Sequence, residues 1–209
     1  MIKAIAAAAA ICALASPAGA VKKSARLAEP GQAFWSGKVA SAAQAEKAIE
    51  TWPQPARDAA RALTAKYGRP DEISPDALVW NSNGPWKRTI VHRLAWPHYT
   101  YMTDKDFVEN VIGYGTPDDK VAELTRFDKK VEADQSTAEL SSRSESEAMN
   151  CLALNLADEI VRDKRGFADA RAFYKKVSRL AAAGKSSPYL NGLMFEVHND
   201  ASPNPWSRH

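Results

Sequence analysis

The chain has 209 residues, of which 25% are charged, and its formal net charge at pH 7 is +3. A charge balance this close to neutral argues against a nucleic-acid-binding protein, which needs a strongly positive surface. The length is ample for one hydrophobic core and short for two, so we expect a single domain.

The first 20 residues have the three regions of a secretory signal peptide. Lys3 gives a positive start, residues 4–15 are apolar without interruption, and Ala18-Gly19-Ala20 supplies the small residues that a signal peptidase recognises. The apolar run is too short to cross a bilayer, which takes about 20 apolar residues. The sequence therefore predicts an exported protein, periplasmic or secreted in a bacterium, whose mature chain begins at Val21.

Cleavage of this signal peptide has a consequence for the cysteines. Cys12 lies inside the apolar run and is removed, which leaves Cys151 as the only cysteine. A single thiol forms no internal disulfide, so the exported fold is expected to depend on core packing. Because no cysteine directly follows the cleavage site, we expect no lipid anchor. No further apolar run of membrane length follows Ala20, so we expect no transmembrane segment after signal cleavage.

Two helices are predicted after a linker. Residues 21–40 show no periodicity and are interpreted as the linker. Ser41 and Gln44 have the spacing of a capping box, which predicts a helix that Pro53 ends. A second apolar stripe at helical spacing follows and ends at Gly68, because glycine accepts the backbone conformation that closes a helix.

The middle of the chain has the pattern of strands. Residues 77–94 predict a β-hairpin, with Asn83-Gly84 as its tight turn, since both residues tolerate positive φ. Residues 107–114 are a third strand. Residues 129–143 are polar but rich in Val, Thr and Ser, which is typical of one or two exposed or edge strands.

Two further helices are predicted around this strand region. Residues 116–119 are a helix start signal. Ser144 and Glu147 have capping-box spacing before a helix over residues 145–162. The apolar residues of that helix cover a wide arc, so we expect it to be buried on most of its circumference.

The C-terminal part predicts one more helix and a tail. The helix carries an apolar stripe over residues 167–180 and ends at Gly184, and residues 186–209 are interpreted as a loose tail with at most a short strand at 193–197. The order of helices, strands and helices, without β-α-β alternation, predicts an α+β fold. We expect an antiparallel sheet, built on a β-hairpin and packed against N-terminal and C-terminal helices, in a single domain over residues 41–185.

Three segments carry a resemblance to a known family. They are Lys66-Tyr67-Gly68-Arg69-Pro70-Asp71-Glu72-Ile73 running on to Leu78-Val79-Trp80; Gly84-Pro85-Trp86-Lys87-Arg88-Thr89-Ile90-Val91; and Glu139-Leu140-Ser141-Ser142-Arg143 leading into Glu147-Ala148-Met149-Asn150-Cys151-Leu152-Ala153-Leu154-Asn155-Leu156-Ala157. They resemble a family of uncharacterised exported bacterial proteins, over roughly residues 34–176. The resemblance implies one domain and export. The family has no assigned activity, so it implies no catalytic residue.

His92 and His98, followed by Asp104 and Asp106, are the candidates for catalysis or metal binding. Neutral imidazole is a frequent metal ligand and an acid–base group near neutral pH, and the carboxylates are available oxygen ligands. In the alternative interpretation His92 packs beside its apolar neighbours and His98 caps a turn. No third nitrogen ligand and no His-Glu-x-x-His motif accompany the pair, so we expect no bound metal.

Two asparagines lie on the apolar helix that follows residue 144. Asn150 and Asn155 must find hydrogen-bond partners there or cost about 1–3 kcal/mol each. One interpretation is that they tie the helix to neighbouring backbone. The other places them with Glu139 and Arg143 around a small polar pocket that binds a ligand.

Aromatic residues are concentrated near the predicted hairpin. Trp80, Trp86, Trp96 and Tyr99 form a stacking face for sugars or peptides if they are exposed, and part of the core if they are buried. The second arrangement is the one we expect.

These observations favour a non-catalytic binding or scaffolding domain of the bacterial envelope. Its expected partner is an unidentified envelope protein or small ligand, not a nucleic acid, and no motif predicts a cofactor. One alternative is a periplasmic hydrolase that uses His92 and His98 with the nearby carboxylates. The other is a secreted ligand binder that uses the tryptophan-rich hairpin.

Overall fold

A six-stranded antiparallel sheet is the centre of the computed structural model, which describes residues 41–95 and 105–199. The strands are β1 (Glu72–Ile73), β2 (Ala77–Asn83), β3 (Trp86–His92), β4 (Val108–Gly113), β5 (Val131–Asp134) and β6 (Glu139–Ser144). Their spatial order is β1-β2-β3-β4-β6-β5, and every neighbouring pair is antiparallel. The predicted α+β class is confirmed. The predicted signal peptide and linker lie outside the described residues.

Six helices occur in the described part of the chain. They are α1 (Ala42–Ile49), α2 (Gln54–Tyr67), α3 (Asp118–Phe127), α4 (Glu147–Val161), α5 (Phe167–Ala182) and α6 (Pro188–Asn191). Helix α1 begins with the predicted capping box, since Ser41 and Gln44 each bond the other's backbone. Helix α2 ends at Gly68, whose φ of 83° is the conformation that glycine was expected to supply. None of the described helices is long and apolar enough to cross a membrane.

All described helices that touch the sheet lie on one of its faces. Opposite residues of neighbouring strands share a face, and Leu78, Val91 and Val108 are opposite one another in β2, β3 and β4. These three belong to the same buried cluster as the helix residues Ile49 and Leu63. The other face carries no described helix. We call it the helix-free face; its residues on β3 to β6 are Arg88, Ile90, His92, Glu109, Val111, Glu132, Asp134, Glu139, Ser141 and Arg143.

The layer between sheet and helices contains two hydrophobic clusters. One joins α1 and α2 to β2, β3 and β4. The other surrounds α4, whose Leu152, Leu156 and Ile160 are fully buried against β4, β6 and the remaining helices. Eleven of the 15 residues of α4 are buried, so the prediction of a helix buried on most of its circumference is confirmed.

The hairpin forms as predicted, but its turn is displaced by one residue. Asn83 is the last paired residue of β2, opposite Trp86, so the two-residue loop consists of Gly84 and Pro85. Gly84 has the expected positive φ of 67°, whereas Asn83 does not. Proline at the second loop position fits because its ring fixes φ near −65°, as a two-residue turn that begins with glycine requires there.

An edge strand forms as predicted before β6, whereas the predicted N-cap of α4 is wrong. Of the two strands in this region, β5 is at an edge of the sheet, whereas β6 is interior because it pairs with β4 on one side and β5 on the other. The N-cap of α4 is Ser146, which accepts from the Met149 amide, and Ser144 is the last residue of β6. Ser144 is not available as the cap because it pairs with Val108 in the sheet.

The described part of the C-terminal tail is not loose. Helix α6 and the residues after it pack on the main cluster through Tyr189, Leu193, Phe195 and Val197. The short strand expected at residues 193–197 does not form. The spacing of apolar residues in this segment did not predict its packing, because its backbone is irregular and has no helical or strand periodicity.

Candidate functional site

A groove of about 890 Å³ follows the free edge of β5. Its lining includes Glu132 and Asp134, which belong to the helix-free face, and also Val131 and Ala133, which point to the helix layer. A cavity in contact with both faces of one strand must run along that strand's unpaired edge, because the other edge of β5 pairs with β6. The far wall is α3, through residues that include Leu124.

Charged side chains dominate the part of the groove on the helix-free face. Glu139 there is only 10% exposed at its side chain and contacts Lys87 Nζ at 2.8 Å and Arg88 Nη1 at 3.0 Å. Burial alone raises the pKa of Glu139, but the hydrogen bonds and charges of Arg88 and Lys87 more than offset this, so its pKa is lowered. This ion pair fixes the Arg88 guanidinium on the helix-free face.

A histidine–carboxylate pair lies on the same face near the end of β3. His92 Nε2 is 2.7 Å from Glu109 Oε2, and the two side chains are 25% and 16% exposed. Burial works to raise the pKa of Glu109, but the hydrogen bond to His92 and the positive charges of His92 and Arg143 lower it overall. His92 is thus joined to Glu109, a residue that sequence reasoning did not single out.

Arg143 forms hydrogen bonds to residues at both ends of the connection between β3 and β4. Arg143 donates through Nε to the Asp106 carbonyl at 2.9 Å and through Nη2 to the Leu94 carbonyl. The Asp106 carboxylate is 3.4 Å from Lys130 Nζ, and burial raises its pKa despite that positive charge. These bonds position the two ends of the connection between residues 94 and 106. His98 and Asp104 lie outside the described residues.

The structure does not bring the four predicted pocket residues together. Glu139 and Arg143 are on the helix-free face, whereas both asparagines of α4 are in the helix layer. Asn150 donates to the Val108 carbonyl at 3.0 Å and to Asn110 Oδ1 at 2.7 Å. Both are structural contacts, because they fasten α4 to β4.

Asn155 fixes the C-terminal segment. Its Nδ2 donates to the carbonyls of Tyr189 and Gly192, and its Oδ1 accepts from the Met194 amide at 2.7 Å. The interpretation that the asparagines tie α4 to neighbouring backbone therefore describes their contacts. Asn150 Oδ1 is the exception, since it is buried with no hydrogen-bond partner among the described residues.

The two described tryptophans of the hairpin belong to the core. Trp80 and Trp86 are each 2% exposed. Trp80 Nε1 donates to the Gly68 carbonyl at 2.9 Å, and Trp86 Nε1 donates to Glu147 Oε1 at 2.7 Å. Neither ring is available for stacking on a ligand. Trp96 and Tyr99 lie outside the described residues.

The thiol of Cys151 is also part of the interior. It is 5% exposed, and burial together with the charge of Glu147 raises its pKa to about 11. A thiol with so high a pKa is protonated at neutral pH and is a poor nucleophile or metal ligand. Among the described residues no group of three or more His, Cys, Asp or Glu side chains is placed to hold a metal ion.

Sequence reasoning missed the groove itself. The only signal for it was the polar, Val- and Thr-containing stretch at residues 129–143, which predicted one or two exposed or edge strands. The neighbouring wall, α3, was predicted as a helix, but no sequence pattern shows which helix lies beside which edge. No protein-family model, curated protein or solved structure matches this chain.

Proposed function

We propose that this chain is an exported protein of the bacterial envelope whose α+β domain binds a partner along the β5 groove and catalyses no reaction. The proposal of export rests on residues 1–20 and on the resemblance to exported bacterial proteins. The proposal of binding rests on the groove, whose 890 Å³ is within the size range of ligand sites, about 300–1,000 Å³.

The state of the reactive side chains supports binding over catalysis. Of the candidates that the structure describes, His92 is paired with Glu109, Asp106 lies beside Lys130, and Cys151 is buried in α4. His92 and Asp106 make these contacts next to the ends of β3 and β4, and Cys151 packs in the core. None of the three residues lines the groove.

One observation favours the hydrolase as a second candidate. The 2.7 Å contact of His92 with Glu109 orients the imidazole, as a carboxylate orients the base of a catalytic pair. Elemental analysis of the purified protein separates the two functions on this point. Near one equivalent of zinc, iron or manganese, lost in both His92→Ala and His98→Ala, would favour the hydrolase over the non-catalytic domain.

Site-specific photo-crosslinking in bacterial cells tests the groove. Thr125 is an exposed residue of α3 that lines the groove, and Lys176 is an exposed residue of α5 that does not. A photo-reactive amino acid at position 125 should give a discrete higher-mass adduct in the envelope fraction, and the same amino acid at position 176 should not. Equal labelling at both positions, or none at either, would contradict a partner in the groove.

Export is tested separately by the mass of the mature protein. Intact-mass measurement of protein from the periplasm or the medium should give a chain that begins at Val21 and carries no acyl group. An N-terminus more than a few residues away, or an added lipid mass, would overturn this part of the proposal.

A further inference from the structure

The backbone of β5 has hydrogen-bonding groups directed into the groove. In the β5–β6 ladder the Arg143 amide donates to the Lys130 carbonyl at 3.2 Å, so these two residues are a hydrogen-bonded pair. Such pairs alternate with non-hydrogen-bonded ones along antiparallel strands. The backbone N–H and C=O groups of Glu132 and Asp134 therefore bond to β6. Those of Ala133 are directed away from β6, toward the free edge.

The side chains beside that edge differ between its two sides. Toward the helix layer the groove is lined by the apolar residues Val121, Leu124, Val131 and Ala133, of which Val121 and Ala133 are partly exposed. On the helix-free side β5 presents Glu132 and Asp134, which are both exposed. Over its whole lining the groove has four carboxylates and two cationic side chains.

We propose that the groove binds an extended peptide with alternating basic and apolar side chains, which adds to β5 as a further antiparallel strand. This inference rests on the proposed function and specifies its partner. One residue of the peptide backbone would accept a hydrogen bond from the Ala133 N–H and donate one to the Ala133 C=O. Its side chains would alternate between the two faces, so that apolar ones meet the partly exposed Val121 and Ala133 and basic ones meet Glu132 and Asp134.

Charge also distinguishes this partner from a second copy of the chain. Antiparallel pairing of two β5 strands about Ala133 places Glu132 of each copy opposite Asp134 of the other. Like charges directly opposite one another destabilise a strand pair. The same two carboxylates that attract a basic peptide therefore oppose self-association at this edge, which is how exposed sheet edges are commonly protected.

Calorimetric titration with two synthetic peptides tests the proposal. The first is the acetylated, amidated heptapeptide Lys-Val-Arg-Val-Lys-Val-Lys, and the second has glutamate at each basic position. The basic peptide should bind at least about tenfold more tightly, and its affinity should fall when salt is raised from about 0.05 M to about 0.5 M. Equal binding of both peptides, or no binding of the basic one at about 1 mM, overturns the proposal.

Ala133→Pro tests strand addition specifically. Proline removes the outward N–H of residue 133 but no bond to β6, and edge strands tolerate it at such positions. Affinity for the basic peptide should fall at least about tenfold, whereas Ala133→Ser, which keeps the N–H, should bind as the unmodified protein does. Far-UV circular dichroism checks that both variants are folded. Unchanged affinity in folded Ala133→Pro contradicts the proposal.

A second measurement covers the case in which Ala133→Pro does not fold. N-methylation of the heptapeptide at alternate residues blocks the N–H groups on one of its two edges only. One methylated series should lose binding and the other should keep it, and equal effects would exclude strand addition. If the peptides fail while crosslinking at Thr125 succeeds, the groove has a partner of another kind; if both fail, the proposed function fails as well.

Discussion

Glu147 is the side chain whose removal should test the packing of this fold most directly. It is the first residue of α4, and its carboxylate accepts hydrogen bonds from three residues in two other elements. The donors are Trp86 Nε1 and Tyr67 Oη, both at 2.7 Å, and Lys66 Nζ at 2.6 Å. Because these residues belong to β3 and α2, one carboxylate joins the parts of the molecule that contain the two hydrophobic clusters.

The three bonds are expected to contribute unequally to stability. Lys66 is 56% exposed at its side chain, so its ion pair contributes at most about 1 kcal/mol. Trp86 is 2% exposed, and a buried donor bonded to a charged acceptor contributes about 1.5–3 kcal/mol. With the half-buried Tyr67 included, we expect Glu147→Ala to lower the free energy of unfolding by about 3–5 kcal/mol. Lys66→Ala should lower it by less than about 1 kcal/mol.

Urea denaturation followed by far-UV circular dichroism measures both losses. Trp86→Phe removes the indole donor and keeps a ring, so it is the partner for a double-mutant cycle with Glu147→Ala. The coupling energy should be at least about 1 kcal/mol, because the two single variants remove the same bond. If Glu147→Ala costs no more than Lys66→Ala, the reasoning that the buried indole is the main partner is refuted.

Four further predictions concern other parts of the fold. Leu156→Ala should cost about 2–5 kcal/mol by urea denaturation, because Leu156 is fully buried in α4; a loss below about 0.5 kcal/mol would be that of a surface residue. Gly84→Val should lower the melting temperature although the added side chain meets open space, because φ is 67° there; no change would refute the turn geometry. Gly113→Ala should release the end of the C-terminal segment to proteolysis, because its Cβ would lie 1.9 Å from the His198 carbonyl oxygen; an unchanged digestion pattern would contradict that contact. Asp106→Asn should stabilise the protein at pH 7, because burial raises the pKa of the Asp106 carboxyl in the folded state and its ionised form therefore costs stability. The gain should disappear as pH falls below about 4, where this carboxyl is protonated in the unfolded chain too. A gain that persists below that pH would refute this cause.

The sequence predicted the elements whose causes are local. The Ser41–Gln44 box, the glycine end of α2 and the alternation of β3 each depend on residues within a few positions of one another. Local signals also gave the α+β class, because the order of the elements excludes a parallel sheet with helical crossovers. The burial of α4 was also predictable, because its apolar arc depends only on residues within that helix.

The errors arise where distant parts of the chain decide. The capping-box spacing to Glu147 favours Ser144 as the cap, but Ser144 pairs with Val108 in the sheet and the cap is Ser146. The sequence predicts Glu147 in a capping box, but its carboxylate bonds Tyr67 and Trp86, which lie 80 and 61 residues away. No window of sequence around residue 147 contains that information.

The candidate site illustrates the same limit in a stronger form. A binding groove at a sheet edge is defined by the strand that is outermost, and strand order depends on pairings between distant segments. Here β6 follows β5 in the chain but lies inside it in the sheet, because β6 also pairs with β4. The outward direction of the Ala133 amide follows from this order and from the register of a single ladder. The hydrogen-bonding chemistry of this edge is therefore carried by the backbone, whereas the reactive side chains that the sequence indicates, His92 and Asp106, do not line the groove.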